Sequence, residues 1–225
     1  MNSILSSAFF GIFLTIFSFY IAGGISKRIK SPLANPLLLA TIICIAVMKL
    51  LHVSYDDYME GAQFVSMFLV PVTAMLGLSI YRQRKILKEQ FLPIVVGCLF
   101  GSLLSMGSTV VLCRILVLHD DIMCSLLPKS VTTAIALDIS DQLGGLRSVT
   151  LMAVIICGIG GAIIHPLIIK LLRLKDQVAI GVAFGTASHA IGTAKALEIG
   201  EVEGAVSGVA MGVAGICTVI IALFI

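Results

Sequence analysis

Residues 181–200, GVAFGTASHAIGTAKALEIG, constrain this chain more than any other stretch. They carry Gly185, Thr186, Ser188, His189, Gly192, Thr193, Lys195 and Glu198 where a long apolar helix is expected. The apolar runs elsewhere come in blocks of about twenty residues, each long enough to cross a hydrocarbon core about 30 Å thick as helix. Of the 225 residues, 59% are hydrophobic and only 12% charged, and the mean hydropathy is +1.12. An ordinary soluble domain has about 25% charged residues. The composition therefore describes an integral membrane protein, with no soluble domain to be carved out. An ionised side chain at mid-bilayer costs about 2.5–3.5 kcal/mol on insertion scales, so the polar stretch must face protein or water. The repeated Gly-Thr pairs, Gly185-Thr186 and Gly192-Thr193, predict that the chain turns or unwinds at those points and presents hydroxyls and backbone groups to a cavity.

Read in order, the chain offers a first span over residues 4–25, a second over 35–51, with Pro36 suited to a helix first turn, and a third over 61–81. A fourth covers 91–118, a fifth 149–172 and a last 202–225. No basic residue precedes the first run, so it reads as a retained span and not a cleaved signal. Between the spans, the basic loop Lys27-Arg28-Ile29-Lys30 ends in the turn signal Ser31-Pro32. The acidic connector Asp56, Asp57 and Glu60 follows, and then the basic cluster Arg82, Arg84, Lys85 and Lys88. With Lys170, Arg173 and Lys175, these basic segments hold ten of the fifteen Lys and Arg. The positive-inside rule puts all three in the cytoplasm and the N-terminus outside. Tyr55, Tyr58 and Tyr81 fall near span ends, where amphipathic rings sit at the membrane interface.

This orientation leaves two segments to explain. The His119-Asp120-Asp121 connector lies outside and the fifth span must run from outside to inside, so residues 122–147 have to leave and return to one face. Pro128, Lys129, Ser130, Thr132, Thr133, Asp138 and Asp141 make that segment too polar for a lipid-facing helix. Residues 177–200 by the same reasoning enter and return from the cytoplasm. The expected fold is all-α: a polytopic transmembrane helical bundle with two broken or re-entrant helical segments in an inverted-repeat arrangement, which in transporters brackets a midplane site. In this reading the chain is a single membrane domain, with N-terminal spans over residues 1–90 and a core over 91–225 that contains hairpins 122–147 and 177–200. Gly97, Gly101 and Ser105, and Gly204, Gly208 and Gly212, recur every four residues and predict close helix packing.

At Pro128 a helix cannot comfortably continue, and Ser130 is placed to cap a new one near Val131. Its positive end would then point into the membrane, where a carboxylate can be met by free amides, by the Ser130, Thr132 and Thr133 hydroxyls, and by Lys129. The alternative is a simple cap with Lys129 reaching the headgroups. In the second segment Thr186, Ser188, His189 and Thr193 cluster, and His189 is either a structural hydrogen-bonding residue or a proton carrier. Asp138 and Glu198 are the carboxylates best placed for H⁺ or Na⁺ coupling, whereas Asp141, Glu201 and Glu203 read as interfacial. His165-Pro166, deep in the fifth span, either lines a cavity or satisfies a neighbouring carbonyl. The six cysteines are scattered singly and read as packing residues. Neither a nucleotide loop, a zinc pattern nor a Ser-His-Asp arrangement is present, so an enzyme, a metal or cofactor, and a nucleic-acid partner are not expected.

At Leu126-Leu127-Pro128-Lys129-Ser130-Val131-Thr132-Thr133 and from Gly185 through Ala194, GTASHAIGTA, the chain resembles the LrgB/CidB family of bacterial membrane proteins. Asn35-Pro36-Leu37-Leu38, Pro71, Tyr81 and Glu201-Val202-Glu203-Gly204-Ala205 follow the family order. Two departures stand out: Ala134 follows Thr133 where a proline is usual, and Ser79 stands where another is common. The resemblance implies a multi-pass protein of the bacterial inner (cytoplasmic) membrane. It implies either a secondary transporter or facilitator of small monocarboxylates such as pyruvate, glycolate or glycerate, or a holin/antiholin-like pore or regulator of murein hydrolase export and autolysis. It further implies a separate LrgA/CidA-like small membrane protein as partner, and a homo-oligomer. Polarity concentrated in two interrupted segments, instead of along one face of whole spans, favours transport. The expected substrate-binding residues are Lys129, Ser130, Thr132, Thr133, Thr186, Ser188, His189 and Thr193, and the expected coupling residues Asp138, His189 and Glu198.

Overall fold

The computed structural model describes residues 7–29 and 35–225. Its regular elements are helices, grouped in two units that divide between Met75 and Leu76. Lys30, Ser31 and Pro32 of the first basic loop lie outside the described residues.

The first unit contains α1 (Ala8–Arg28), α2 (Pro36–Leu50) and α3 (Tyr55–Ser66). Asn35 caps α2 by accepting from Leu37 N at 2.9 Å, and Pro36 takes the first-turn position that needs no donor. Gly11 and Gly61 bring α1 and α3 into backbone contact, since a methyl group on either would overlap a carbonyl oxygen of the other helix, Tyr58 O or Ala8 O. Tyr58, expected near a span end, lies in the first turn of α3. Its hydroxyl is 2.8 Å from Thr15 Oγ1 and joins the same crossing.

The expected third span over residues 61–81 is not one rod. It is divided between α3 and α4 (Leu69–Arg82) by a turn at Met67 and Phe68. The supposed acidic connector is the start of α3. Ser54 Oγ accepts from Asp57 N at 3.1 Å and donates to Asp57 Oδ2 at 2.6 Å, so Asp56 and Asp57 occupy a first turn where unsatisfied amides favour negative charge.

The second unit continues with α5 (Arg84–Glu89), α6 (Phe91–Ile115), α7 (Asp120–Leu126), α8 (Thr133–Gln142), α9 (Arg147–Leu172), α10 (Gln177–Ile199) and α11 (Glu201–Ala222). Helices α1, α6, α9 and α11 are each long and apolar enough to cross a membrane. α6 and α11 run parallel and in register: Cys98 Sγ donates to Ala210 O at 3.5 Å, and one turn on Ser102 Oγ donates to Ala214 O at 3.4 Å. Ile94, Cys98, Val206, Ala210 and Ala214 fill the seam between them.

Residues 120–146 form the first hairpin. α7 descends, the chain runs without regular helix from Leu127 to Thr132, and α8 returns. The base is closed by Ser125, whose Oγ accepts from Leu146 N at 2.6 Å and donates to Asp121 O at 2.6 Å. Thr150 Oγ1 donates to Ser140 Oγ at 2.7 Å and ties α9 to α8 at the same level. Val131, Ala136 and Val154 pack the hairpin on α9.

α10 is the second hairpin, two helical arms that meet directly at a kink. Ser188 (φ −135°, ψ 16°) and His189 (φ 41°, ψ −135°) break it, and the arm 190–199 folds back on the arm 177–187. Ile180, Phe184 and Ala196 share one apolar cluster. In a straight helix Phe184 and Ala196 would be about 18 Å apart. The base of this hairpin lies between the end of α9 and the start of α11, so the hairpins enter from opposite ends of α9. A span followed by a hairpin thus occurs twice, over 91–146 and 147–199, in opposite directions, as the inverted-repeat expectation required.

The breaks expected at the two Gly-Thr pairs are displaced to the residues between them. Gly185 and Gly192 are helical and serve close approach instead. A methyl on Gly185 would overlap Ser207 O of α11, and one on Gly192 would stand 2.6 Å from Phe184 O in the opposite arm. Gly97 and Gly101 face Val182 and Thr186 of the second hairpin and Gly204 faces Leu197, whereas Gly212 faces open space.

Candidate functional site

The two hairpin tips meet at the middle of α9. From the first, Ser130 Oγ lies 2.8 Å from Ser105 Oγ on α6 and 3.8 Å from Cys157 Sγ on α9. From the second, Ala187 O accepts from the same Cys157 Sγ at 3.3 Å. Cys157 therefore joins the two breaks, a role beyond the packing assigned to it from sequence. Both returning half-helices, α8 and 190–199, start at this crossing, so the unsatisfied amides and positive dipole ends of both point toward it.

Lys129 lies on the side of the crossing toward the end of α6. Its ammonium donates to Thr109 Oγ1, to Ser105 O at 3.3 Å and to Ser105 Oγ at 3.4 Å. It therefore does not reach for headgroups. Among the described residues it pairs with no carboxylate. A cleft of about 250 Å³, lined by Ser108, Thr109, Leu116, Leu118 and Leu126, leads to it from the open end of the first hairpin.

Ser130 does not cap the next helix as expected. The N-cap is Thr132, without a side-chain cap bond, because Val131 N turns back to Pro128 O at 3.2 Å and delays the helix until Thr133. This tight turn holds without a proline at position 134. Thr132 and Thr133 are half-buried at the start of α8.

His189 is 4% exposed and in a backbone region that favours glycine, the kind of strain that costs on the order of 1–3 kcal/mol and persists where packing enforces it. Its Nε2 is 3.1 Å from Val154 O. A carbonyl can only accept, so Nε2 carries the proton. The ring lies over Gly158, where a methyl would stand 2.7 Å from Cε1. Ser188 is fully buried, and its hydroxyl has no hydrogen-bond partner among the described residues.

The other expected residues stand apart. Thr186 Oγ1 donates to Cys98 Sγ at 3.4 Å, bracing the hairpin against α6. Thr193 Oγ1 donates to His189 O at 3.0 Å and lies 2.9 Å from Ser207 Oγ, bracing it against α11. Asp138 is exposed on α8, and Glu198 is exposed and paired with Lys195 at 2.6 Å. Neither carboxylate joins His189 at the crossing. Asp141 pairs with Arg147 and Glu201 with Arg82 at 3.9 Å, both exposed.

Glu203, read from sequence as interfacial, is enclosed by the protein. It is 6% exposed, and Oε2 is sealed against Gly200, where a methyl would overlap it, without a partner among the described residues. Its position in the first turn of α11, where negative charge is favoured, accounts for a carboxylate there. Ser105, Thr109 and Ser207 were also missed. The small-residue stripe through Ser105 marked its face of α6 but not its hydrogen bonding.

A model of the LrgB-like family matches residues 15–225. A Bacillus subtilis protein, YxaC, is 37% identical over 200 residues, covering 89% of this chain and 87% of its own. The Antiholin-like protein LrgB of Bacillus subtilis is 34% identical over 216 residues, covering 96% and 94%. A Haemophilus influenzae protein is 35% identical over 213 residues, covering 95% and 92%. No solved structure matches.

Proposed function

The chain belongs to the LrgB-like family of multi-pass membrane proteins, and from that premise we propose that it carries a small monocarboxylate of the pyruvate, glycolate or glycerate type across the bacterial cytoplasmic membrane. The observation that carries this reading is Lys129, a half-buried ammonium surrounded by neutral oxygens at the foot of a cleft. Withdrawing a cation from water without a counter-charge is costly, and an anion entering the cleft offsets that cost. The two half-helix N-termini at the crossing favour the same sign of charge. Ser130, Cys157 and Ala187 O close the path beyond Lys129, and separation of the hairpin tips would open it.

A second reading is favoured by the name of the relatives, Antiholin-like protein LrgB. In it the chain acts on another membrane protein, of the LrgA/CidA type, or as a homo-oligomeric holin-like pore, to set membrane permeability, and carries no selected small acid. Purified protein in liposomes distinguishes the two. Saturable uptake of labelled pyruvate or glycolate that is lost in Lys129→Met, with no leak of a large dye, supports transport. Absence of uptake of every small acid, with or without dye leak, supports the antiholin-like reading alone.

A further inference from the structure

The sealed hydroxyl of Ser188 has a counterpart on α9. His165 Nδ1 is likewise sealed and without a partner among the described residues, and its ring meets Phe184 edge-on at 4.8 Å. A methyl group on Gly161 would overlap Ser188 Oγ and would stand 3.3 Å from His165 Cε1, so both side chains close on the space that this glycine leaves open. They make no hydrogen bond to each other. An oxygen atom admitted between them would accept from both. Buried polar atoms are rarely left unpaired, and two beside one glycine mark a place for something else.

The place is on the far side of the crossing from Lys129. Ser130, Cys157 and Ala187 define the level of the gate. Lys129 bonds Thr109, one turn from Ser105 toward the end of α6, whereas Gly161 and His165 lie one and two turns beyond Cys157 toward the end of α9, in the opposite direction. His189, with Nε2 held by Val154 O, is already engaged. We propose that His165 and Ser188 form a second station for the solute, donating Nδ1–H and Oγ–H to one carboxylate oxygen after it has passed the gate. This rests on the carboxylate reading above and adds a residue pair to it.

The test is labelled-pyruvate uptake into liposomes by the wild type, His165→Phe, His165→Asn, Ser188→Ala and the His165→Phe/Ser188→Ala double variant, each first checked for a melting transition in detergent. Phe keeps the ring contact with Phe184 and removes the donor, while Asn keeps a donor near the Nδ1 position. Losing a hydrogen bond to a charged oxygen is expected to raise KM about tenfold in His165→Phe and in Ser188→Ala. The double variant should be little worse than either, because the two share one oxygen. His165→Asn should stay within about threefold of wild type. Unchanged KM in Ser188→Ala, or equal impairment of His165→Phe and His165→Asn, overturns the station and leaves transport standing. A wild type that takes up no acid overturns the transport reading and this pair with it. Should His165→Phe fail to melt cooperatively, Ser188→Ala and His165→Asn decide.

Discussion

The two hairpins reach the same point on α9 by different means. The first breaks over six residues, Leu127 to Thr132, with Pro128 preventing helix and Lys129 and Ser130 both bonded to α6. The second breaks over two, Ser188 and His189, with neither proline nor glycine at the turn and one residue held at φ 41°. A loop of the first kind is set by its own sequence. A turn of the second kind exists because both arms are pressed against α11 and each other through Gly181, Gly185 and Gly192. One tip presents a charge, while the other presents a strained backbone and a sealed hydroxyl.

If that contrast holds, Lys129→Met has the largest effect. Removing the charge proposed to pair with the carboxylate of the solute is expected to cost on the order of 3 kcal/mol, or about a hundredfold in uptake, while the melting temperature stays near wild type. Equal losses of stability and uptake would mean that Lys129 is a structural prop. Gly185→Ala should act the opposite way. Its methyl meets the Ser207 carbonyl, which cannot swing aside, so stability falls by about 1–3 kcal/mol and the melting temperature drops measurably. A silent Gly185→Ala would refute close packing as the force that bends α10. Ser130→Ala, which loses one neutral hydrogen bond to Ser105, should cost about 1 kcal/mol, read by denaturant unfolding in detergent.

The smallest effect belongs to Ala134→Pro, which introduces the proline that the family resemblance led us to expect there. Proline disfavours helix at the preceding Thr133, so α8 should start one residue later, with stability changed by less than about 1 kcal/mol. A large loss would show that the Ala134 amide is already committed to a partner.

What was legible in the sequence follows the same division. Pro128, the alternation of basic and acidic connectors, and the excess polarity of residues 122–147 announce the first hairpin, since each acts locally. Residues 177–200 announced a break but misplaced it. Gly185 and Gly192 look like points of flexibility, whereas their function, contact with Ser207 O and Phe184 O, depends on partners distant in the chain or across the fold. The same holds for Glu203, hidden only because Gly200 leaves it room, and for Cys157, an unremarkable apolar-run residue until both tips reach it. The early start of α3 was missed for a local reason: Ser54 and Asp57 form a helix start that reads as an acidic loop.

The opposed entry of the two hairpins is tested most directly by sided labelling. Gln142→Cys at the base of the first and Glu198→Cys at the base of the second, both exposed, are placed singly in a background with the native cysteines replaced. In oriented vesicles a membrane-impermeant maleimide is expected to label position 142 from one face and position 198 only from the other. Labelling of both from the same face would contradict the opposed hairpins, and with them the shared crossing on α9.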